Sequence, residues 1–556
     1  IGDVESDEDA FAVLRGPDVS VKVGEGTTGA EFTVGDGTDA ARILAQLVHS
    51  REEWLQNSQA VAIEEHSILS DQRTVALVTP DARVVWMCIP RIDSSAIFAD
   101  LLGGHTTGYF QVRSADGEPP KKQAYVGNSF LLTTEWSNFS VTDYLDCSAG
   151  RPFQRAGRTD MVRVIEGKGT VTIDFAPRLD FGREQTRLKV VTNGLQVEGT
   201  LDPIVLRAPG VQWSILDEGR HQRAIAQHEL QGSLTLELRC GVLNAHEQVI
   251  PEPQRRGQTL RFWTLWADQL RVPAVASEVV RRSALVLKSL CYGPTGAISA
   301  AGTMSLPEHV GGVRNWDYRY CWLRDGAMAA TALAKLGTPG AGVRLLDWLL
   351  GIMDRDENPE WFRPLYTVTG GHVAVEAEIG ELAGYRGSRP VRVGNAAAQQ
   401  LQLDVFGPLM ELLETLAKYG AALSGEHWRL TEAIVKAVGV RWQEPDHGIW
   451  EIRRPRQHHV HSRVMCWMAV DRGIMLARAY LGDVPAPWTI LRDEIAQDIL
   501  VHGWKESVGS FTATYEDTSV DAALLHVGLS GLISGNDPRF VATVVAVEKA
   551  LRRGPT

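Results

Sequence analysis

The stretch Gly311–Gly326, GGVRNWDYRYCWLRDG, concentrates aromatic rings and charged groups in one short run. An amphipathic helix would space its apolar residues three and four apart, and a half-buried strand would alternate cleanly, whereas this stretch interleaves rings with charges. Aromatic faces cover the apolar faces of a pyranose, and guanidinium and carboxylate groups bind its hydroxyls. The composition therefore predicts a sugar-binding wall, with a structural cluster of salt bridges and rings as the alternative. Its rings and charges are Trp316, Tyr318, Tyr320, Trp322, Arg314, Asp317, Arg319, Arg324 and Asp325.

The run RNWDYRYCWLRDG resembles the signature of glycoside hydrolase family 15, the glucoamylase-like family. In that family, the arginine and aspartate that close the run hold the non-reducing-end glucose of the substrate. The resemblance implies this role for Arg324 and Asp325. It also implies that Tyr318 and Trp322 are aromatic residues of the same pocket.

Length and composition restrict the classes of protein that fit. A chain of 556 residues exceeds the usual size of one hydrophobic core, so two or more domains are expected. The net charge of -12 argues against a nucleic-acid-binding surface, and no apolar run approaches the roughly 18 residues of a membrane span. The six cysteines show no paired spacing, which predicts buried free thiols and a reducing, cytoplasmic compartment.

The first residues, IGDVESDEDAFAVL, are rich in carboxylates. Clustered carboxylates suit a hard cation such as magnesium, although acidic residues also suit the first turn of a helix. The stretch resembles the last conserved motif of trehalose-6-phosphate phosphatases, GDDxTDEDAF, in the haloacid-dehalogenase-like superfamily. The resemblance implies that Asp3 and Asp7 are metal-side acids and that magnesium is the cofactor of the phosphatase in a longer parent protein. Val4 and Ser6 depart from the motif, which puts metal affinity in doubt.

The aspartyl nucleophile of that superfamily lies upstream of this motif. Residues 1–50 are therefore expected to be the C-terminal remnant of an α/β phosphatase, followed by a polar linker over residues 51–66. The chain is expected to be a fragment at both ends.

Residues 67–270 read as short alternating runs separated by turn residues, which predicts an antiparallel β-sandwich. Ser67–Gly104 also resembles the opening of bacterial family 15 enzymes, in which a β-sandwich precedes the catalytic barrel. The predicted strands are Thr74–Val78, Val84–Ile89, Phe130–Thr134, Thr170–Phe175, Leu188–Thr192, Ile204–Arg207 and Ser233–Leu238.

Helical periods dominate residues 271–556, with glycine and proline stop signals between them. Short loops between the helices suggest stacked helical hairpins, and family 15 has six such hairpins in an (α/α)6 barrel, so this barrel is expected to be C-terminally truncated. The predicted helices are Ser277–Cys291, Asp325–Leu336, Ala341–Arg355, Asn395–Tyr419, His427–Val440, Arg463–Leu481, Trp488–Val501, Val520–Ile533 and Pro538–Arg552.

Glycoside hydrolysis needs a carboxyl group that stays protonated near neutrality, which calls for an apolar or aromatic surrounding. Glu451 follows Trp450 and stands between two isoleucines in an interhelix loop. It resembles the glutamate of the family motif (L/I)WE, which implies that Glu451 is the catalytic general acid and that Trp450 belongs to the site. The general base of the family, in a run resembling LLAEEYDP, is expected beyond Thr556.

The segment Glu381–Gly407 also resembles the family. It suggests Tyr385 and Arg389 for the outer part of the binding site, whereas Gln402 and Asp404 fit that site or a buried helix face equally well. Three arginines of this segment, Arg386, Arg389 and Arg392, could donate to the hydroxyls of a second glucose. No cofactor is expected for the glycosidase.

These observations predict inverting hydrolysis of α-glucosides, with a small-molecule or oligosaccharide partner and neither nucleic acid nor membrane. Three interpretations remain open: an α,α-trehalase, which the phosphatase resemblance favours, a glucoamylase-type exo-α-glucosidase, and a non-catalytic sugar-sensing module. Glu451 beside Trp450 disfavours the third, because a sensor needs no acid.

Overall fold

The computed structural model describes residues 20–30, 32–46, 60–155, 157–242, 250–356 and 359–553. The chain divides into two compact units, Ile1–Val61 and Ala62–Thr556. In the first unit, the strands Val21–Val23 (β1) and Phe32–Val34 (β2) pair in parallel, and residues 37–46 are helical. Asp3 and Asp7, predicted to be metal-side acids, lie outside the described residues.

The first half of the second unit is built on one branched antiparallel sheet. Its strands are β3 (Ser67–Ser70), β4 (Val75–Val78), β5 (Arg83–Cys88), β6 (Ala96–Phe98), β7 (Tyr109–Ser114), β8 (Lys122–Tyr125), β9 (Leu132–Glu135), β10 (Phe139–Leu145), β11 (Thr159–Ala176), β12 (Leu188–Val191), β13 (Gly194–Val197), β14 (Ile204–Arg207), β15 (Ser214–Asp217) and β16 (Gln222–Cys240). Neighbouring strands follow the order β12-β13-β14-β16-β11-β7-β5-β4-β3, and the remaining strands branch from this path.

Two long strands, β11 and β16, organise this sheet. They pair with each other over nearly their whole length, from Thr159 opposite Cys240 to Phe175 opposite Ala224. The first part of β11 also pairs with β10 and its last part with β7, so the two branches leave from different ends of one strand. Side chains from both branches share one hydrophobic core, which holds the branches together.

The second half of this unit is helical, so the predicted order of a sheet-rich region followed by a helical region is confirmed. Here the helix Phe406–Lys418 packs against the helices Leu323–Lys335 and Val460–Leu481. The longer helices described after the sheet are α1 (Glu252–Asp268), α2 (Ser277–Ser289), α3 (Leu323–Lys335), α4 (Gly340–Asp356), α5 (Phe406–Lys418), α6 (Gly425–Arg441), α7 (Val460–Leu481), α8 (Ala486–His502) and α9 (Pro538–Leu551).

Short elements fill the connections between these helices. The two-stranded pairs are Met304–Pro307 with Asn315–Asp317, Cys321–Trp322 with Leu365–Tyr366, Ala377–Glu378 with Arg392–Val393, and Trp504–Lys505 with Ser510–Phe511. Short helical turns are Ile63–Glu65, Asp100–Gly103, His105–Thr107, Ser148–Phe153, Leu179–Gly182, Pro359–Trp361, Tyr385–Gly387, Ala396–Gln399, Leu403–Val405, Ala522–Leu525 and His526–Leu529.

Three helix predictions need correction. The helix α1 was not predicted, because the stripe that it buries against the sheet begins with Arg255, whose guanidinium pairs with Asp146 and Glu237. The helix predicted from Asn395 begins only at Phe406; upstream of it the chain forms two short turns, Ala396–Gln399 and Leu403–Val405, and Pro408 has no N–H to donate to the carbonyl of residue 404. Residues 520–533, predicted as one helix, contain only the two short turns Ala522–Leu525 and His526–Leu529.

A buried ion pair connects the sheet with the helical region. Arg319 is 1% exposed and forms hydrogen bonds to Asp317 through Nε at 2.9 Å and Nη2 at 2.7 Å. Its Nη1 donates to the backbone carbonyl of Ser94, which follows β5, and Asp317 accepts from the backbone N–H of Gly394 at 3.2 Å. Asp317 and Arg319 thus hold three segments of the chain together.

Two further findings concern the chain as a whole. All six cysteines are buried and unpaired, as the sequence predicted. Over the described ranges, no helix combines the length and apolar character required to cross a membrane.

Replacing Arg319 with methionine is expected to lower the free energy of unfolding by about 3–5 kcal/mol, because Asp317 would remain as an unpaired buried charge. Arg314→Met in the same motif is the control, since the Arg314 side chain is 62% exposed and its pair with Glu308 should contribute only about 0–1 kcal/mol. Urea and thermal unfolding would measure both. Equal shifts for the two variants would contradict the structural role of Arg319.

Candidate active site

Glu451 lies in the loop between α6 and α7. The two ends of this loop are joined by backbone hydrogen bonds between Asp446 and Gln457, with 2.9 and 3.0 Å between donor and acceptor. Gly448 adopts a φ of +68°, and a Cβ there would lie 2.8 Å from the ring of His459, so the turn requires glycine. Glu451 itself has a φ of +55°, an uncommon conformation for a non-glycine residue that costs about 1–3 kcal/mol and is typical of functional sites.

The carboxyl group of Glu451 is held by two groups of the motif described first. The indole Nε1 of Trp322 donates a hydrogen bond to Oε1 of Glu451, and Nη2 of Arg324 lies 3.6 Å from the same oxygen. The Glu451 side chain is only 17% exposed. Burial raises its pKa above the ordinary value and outweighs the lowering effects of Arg324 and Trp322. Glu451 therefore retains its proton to a higher pH than an exposed glutamate, as a general acid requires.

Arg324 contacts three carboxyl groups, those of Asp404, Asp325 and Glu451. Its Nη1 donates to Oδ2 of Asp404 at 2.9 Å, and its Nε lies 3.3 Å from Oδ2 of Asp325. Burial lowers the pKa of Arg324, but Asp404 and Asp325 raise it above the usual range, so the guanidinium stays charged. The Asp325 side chain is 43% exposed although its Oδ2 is buried without a hydrogen bond, which leaves its other oxygen for a polar ligand.

A cavity of about 420 Å³ opens in front of Glu451. Its walls combine aromatic rings with guanidinium groups, the combination that recognises sugars. Burial, and then the neighbouring Glu451, raise the pKa of Tyr318 to about 12, so its hydroxyl is a neutral donor at physiological pH. The lining residues are Arg314, Trp316, Tyr318, Asn395, Ala397, Trp450, Glu451, Ile452, Arg453 and Arg454.

One wall of the cavity is built around Trp316 and two arginines. The guanidinium of Arg453 lies 3.9 Å from the centre of the Trp316 ring, and that of Arg392 lies 4.5 Å from it. Glu376 accepts from Nη1 of Arg453 at 2.8 Å and lies 3.6 Å from Nε of Arg392. The hydrogen bond from Arg453 lowers the pKa of Glu376 in spite of its burial, so this carboxylate stays charged and fixes the arginines.

The structure brings most of the predicted site residues together. Tyr318, Trp450 and Glu451 line the cavity, and Trp322 packs behind Tyr318 with 5.4 Å between the ring centres. Trp450 also donates its indole N–H to Asp521, in a later interhelix segment.

Tyr385 and Arg389, predicted for the outer part of the site, are not brought to it. Tyr385 is 2% exposed with its ring under Arg386, and Arg389 donates to the backbone carbonyl of Gly380. Neither belongs to the cavity lining.

Sequence reasoning named Arg392, whose guanidinium lies over Trp316, but it missed Arg453, Arg454 and the carboxyl group of Asp446. Arg453 and Arg454 directly follow Glu451-Ile452 in the sequence, and this proximity was the available signal. Asp404 was left open between a binding role and a buried one, and it is fully buried against Arg324. Asp446 was seen only as part of the segment that contains Glu451.

The geometry defines a carbohydrate-active enzyme: a buried carboxyl group of raised pKa at a cavity lined with rings and guanidinium groups. Residues 49–263 match the family model described as trehalase-like, N-terminal, and residues 274–555 match the model described as glycosyl hydrolases family 15. The second match covers half of the chain. The chain belongs to glycosyl hydrolase family 15 and is a glycoside hydrolase.

Curated relatives extend over most of the chain. A trehalase of Thermoplasma acidophilum is 31% identical over 85% of this chain and 82% of the relative. A trehalase of Mycobacterium tuberculosis is 31% identical over 88% of this chain and 76% of the relative. Among solved structures, a glycosidase in complex with glucose is 22% identical over 49% of this chain and 69% of that chain, with a TM-score of 0.39.

Replacing Arg324 with lysine is expected to lower kcat/KM for a glucoside about 10- to 100-fold, the equivalent of about 1.5–3 kcal/mol for a charged hydrogen bond. A single ammonium group keeps the charge but cannot span Asp404, Asp325 and Glu451 at once. Steady-state kinetics on the folded variant would measure the loss. Arg429→Lys on the surface of α6 is the control, and an unchanged kcat/KM for Arg324→Lys would remove Arg324 from the site.

Proposed function

We propose that this enzyme hydrolyses α,α-trehalose to glucose with inversion, and that Glu451 is its general acid. The observation that carries the proposed role is the environment of Glu451. Its Oε1 is occupied by Trp322 and Arg324, so the proton belongs on Oε2, from which it can pass to the glycosidic oxygen of a bound sugar. The loop bends into a left-handed conformation at this residue, which is the kind of backbone cost found at functional sites.

The other groups of the site have proposed roles in substrate binding. Arg324 and the exposed oxygen of Asp325 would bind hydroxyls of the glucose whose bond is cleaved, while Tyr318 would cover its ring. The water-activating carboxylate of an inverting pair stays a prediction, expected in a run resembling LLAEEYDP. The sheet and the helices would correspond to the β-sandwich and the (α/α)6 barrel of the family.

The substrate is inferred from the cavity wall and from the relatives. Trehalose joins two glucoses through both anomeric carbons, so its enzyme needs a second, polar subsite of limited size. The cavity in front of Glu451 has a wall of fixed guanidinium groups, with Arg453 held by Glu376 and Trp316. The relatives described above are trehalases, which favours trehalose over maltooligosaccharides. A glucoamylase-type exo-α-glucosidase is the second candidate.

The N-terminal resemblance to a phosphatase stays a prediction. The parallel pairing of β1 and β2 is typical of α/β folds, and residues 1–61 form a unit of their own. The cytoplasmic location also stays a prediction, supported by the six unpaired cysteines.

Replacing Glu451 with glutamine is expected to lower kcat on trehalose by about 100- to 10,000-fold, because an amide fills the same space but cannot donate the proton. Substrate binding, measured by calorimetry, should change little. Glu432→Gln on the exposed face of α6 is the control. Near-native turnover of the Glu451 variant would show that another group supplies the proton.

The substrate preference is expected to follow the polar wall. Trehalose should give a higher kcat/KM than maltose or maltotetraose, since this ratio expresses specificity. Measuring the three substrates under one set of conditions decides between the two candidates. A preference for maltotetraose would overturn the trehalase proposal and support the glucoamylase type.

A further inference from the structure

Asp446 is a buried carboxyl that joins three parts of the site. It stands at the base of the loop that carries Glu451, where its backbone pairs with Gln457. Its side chain is fully buried, and Oδ2 accepts hydrogen bonds from the backbone N–H of Leu403 at 3.0 Å and from the hydroxyl of Ser462, on α7, at 2.7 Å. One carboxyl oxygen thus ties the loop to α7 and to the turn Leu403–Val405.

This turn leads back to the tip of the same loop. Asp404 follows Leu403 directly and accepts from Arg324, which in turn lies 3.6 Å from Glu451. The contacts therefore form a continuous chain, from Asp446 at the base of the loop through Asp404 and Arg324 to Glu451 at its tip. A displacement of Leu403 would move Asp404, and with it the guanidinium beside Glu451.

We propose that Asp446 is a positioning residue for the general acid, and that it maintains this chain of contacts as a neutral carboxylic acid. This inference rests on the proposed role of Glu451. Asp446 does not reach the substrate cavity, since it is not among the residues that line it. Its effect passes through Leu403, Asp404 and Arg324.

The neutral form follows from the surroundings of the carboxyl. Oδ1 of Asp446 is buried without a hydrogen-bond partner, and so is Oδ1 of the neighbouring Asp404. Asp404 forms an ion pair with Arg324, and a second buried negative charge beside this pair would be repelled. Burial, followed by the charge of Asp404, raises the pKa of Asp446 to about 7.

Opposing charges do not cancel this effect. The other titratable or charged groups described as interacting with Asp446 or Asp404 are Arg324, Asp325, Arg463, His459, His461 and Cys466. Arg463 donates Nη2 to the backbone carbonyl of Glu444 and lowers the pKa of Asp446 less than burial and Asp404 raise it. Burial lowers the pKa of His461 to about 4, so that ring is neutral near pH 7.

Three variants test the proposal. Asp446→Ala removes the connection and is expected to lower kcat on trehalose about 100-fold with little change in KM, the effect of a small misplacement of the acid. Asp446→Asn keeps the acceptor for Leu403 and Ser462 and supplies an N–H where the acid carries its proton, so it should restore most of that kcat. Asp483→Asn on the surface is the control. If the asparagine variant is as impaired as the alanine variant, the neutral form is wrong.

The pH dependence of kcat distinguishes the effect of the position of Asp446 from the effect of its charge. Ionisation of Asp446 should weaken kcat above about pH 7, and this loss should be smaller in Asp446→Asn. An unchanged alkaline decline in that variant would contradict the proposal.

A stability measurement needs no catalysis. An unfolded aspartate ionises near pH 3.9, whereas folded Asp446 keeps its proton to about pH 7, so the wild type loses stability as the pH rises through this window. The Tm of Asp446→Asn relative to wild type should therefore rise between about pH 4 and pH 7 and stay constant above it. A pH-independent difference would overturn the neutral form, even if the proposed role of Glu451 were itself wrong.

Discussion

The buried ion pair of Asp317 and Arg319 is the contact on which the rest of the structure depends. It joins the loop between β5 and β6 at Ser94, the segment at Gly394 and the aromatic motif, and each contact satisfies a charge that water cannot reach. Desolvated charges tolerate little displacement, because a broken contact leaves one of them unpaired. The pair therefore fixes the direction of the motif, and this direction places Tyr318 and Trp322 at Glu451.

A second charged group lies only a few residues further along the same motif. Arg324 sits between Asp404, Asp325 and Glu451, and its guanidinium is fixed from the protein side before any sugar arrives. The two arginines have different roles. Arg319 connects the sheet with the helical region, and Arg324 lies beside the carboxyl group of Glu451. One short stretch of sequence thus serves both the fold and the chemistry.

The order of sheet and helices, and the presence of Glu451 and Arg324 in one site, could be predicted from the sequence, because these depend on local pattern or on a recognisable motif. Predictions from the sequence were wrong where charged side chains are buried and aromatic side chains face the cavity. In the motif the charged Asp317 and Arg319 face inward while Trp316 and Tyr318 face the cavity, so the strand alternation is present but inverted. The same reversal hid α1, whose buried stripe begins with an arginine. Asp446 could not be found by pattern, since its role arises from contacts with Leu403 and Ser462 across the fold.

The two long strands β11 and β16 have a consequence for the order of assembly. Their residues pair across a wide separation in sequence, with Thr159 opposite Cys240, and the strands β12 to β15 lie within the loop of chain that this pairing closes. Such non-local pairing is slow compared with helix formation. Because Arg319 reaches the carbonyl of Ser94, in the loop between two strands of the sheet, a refolding chain will recover its helical signal before it recovers a competent catalytic pocket.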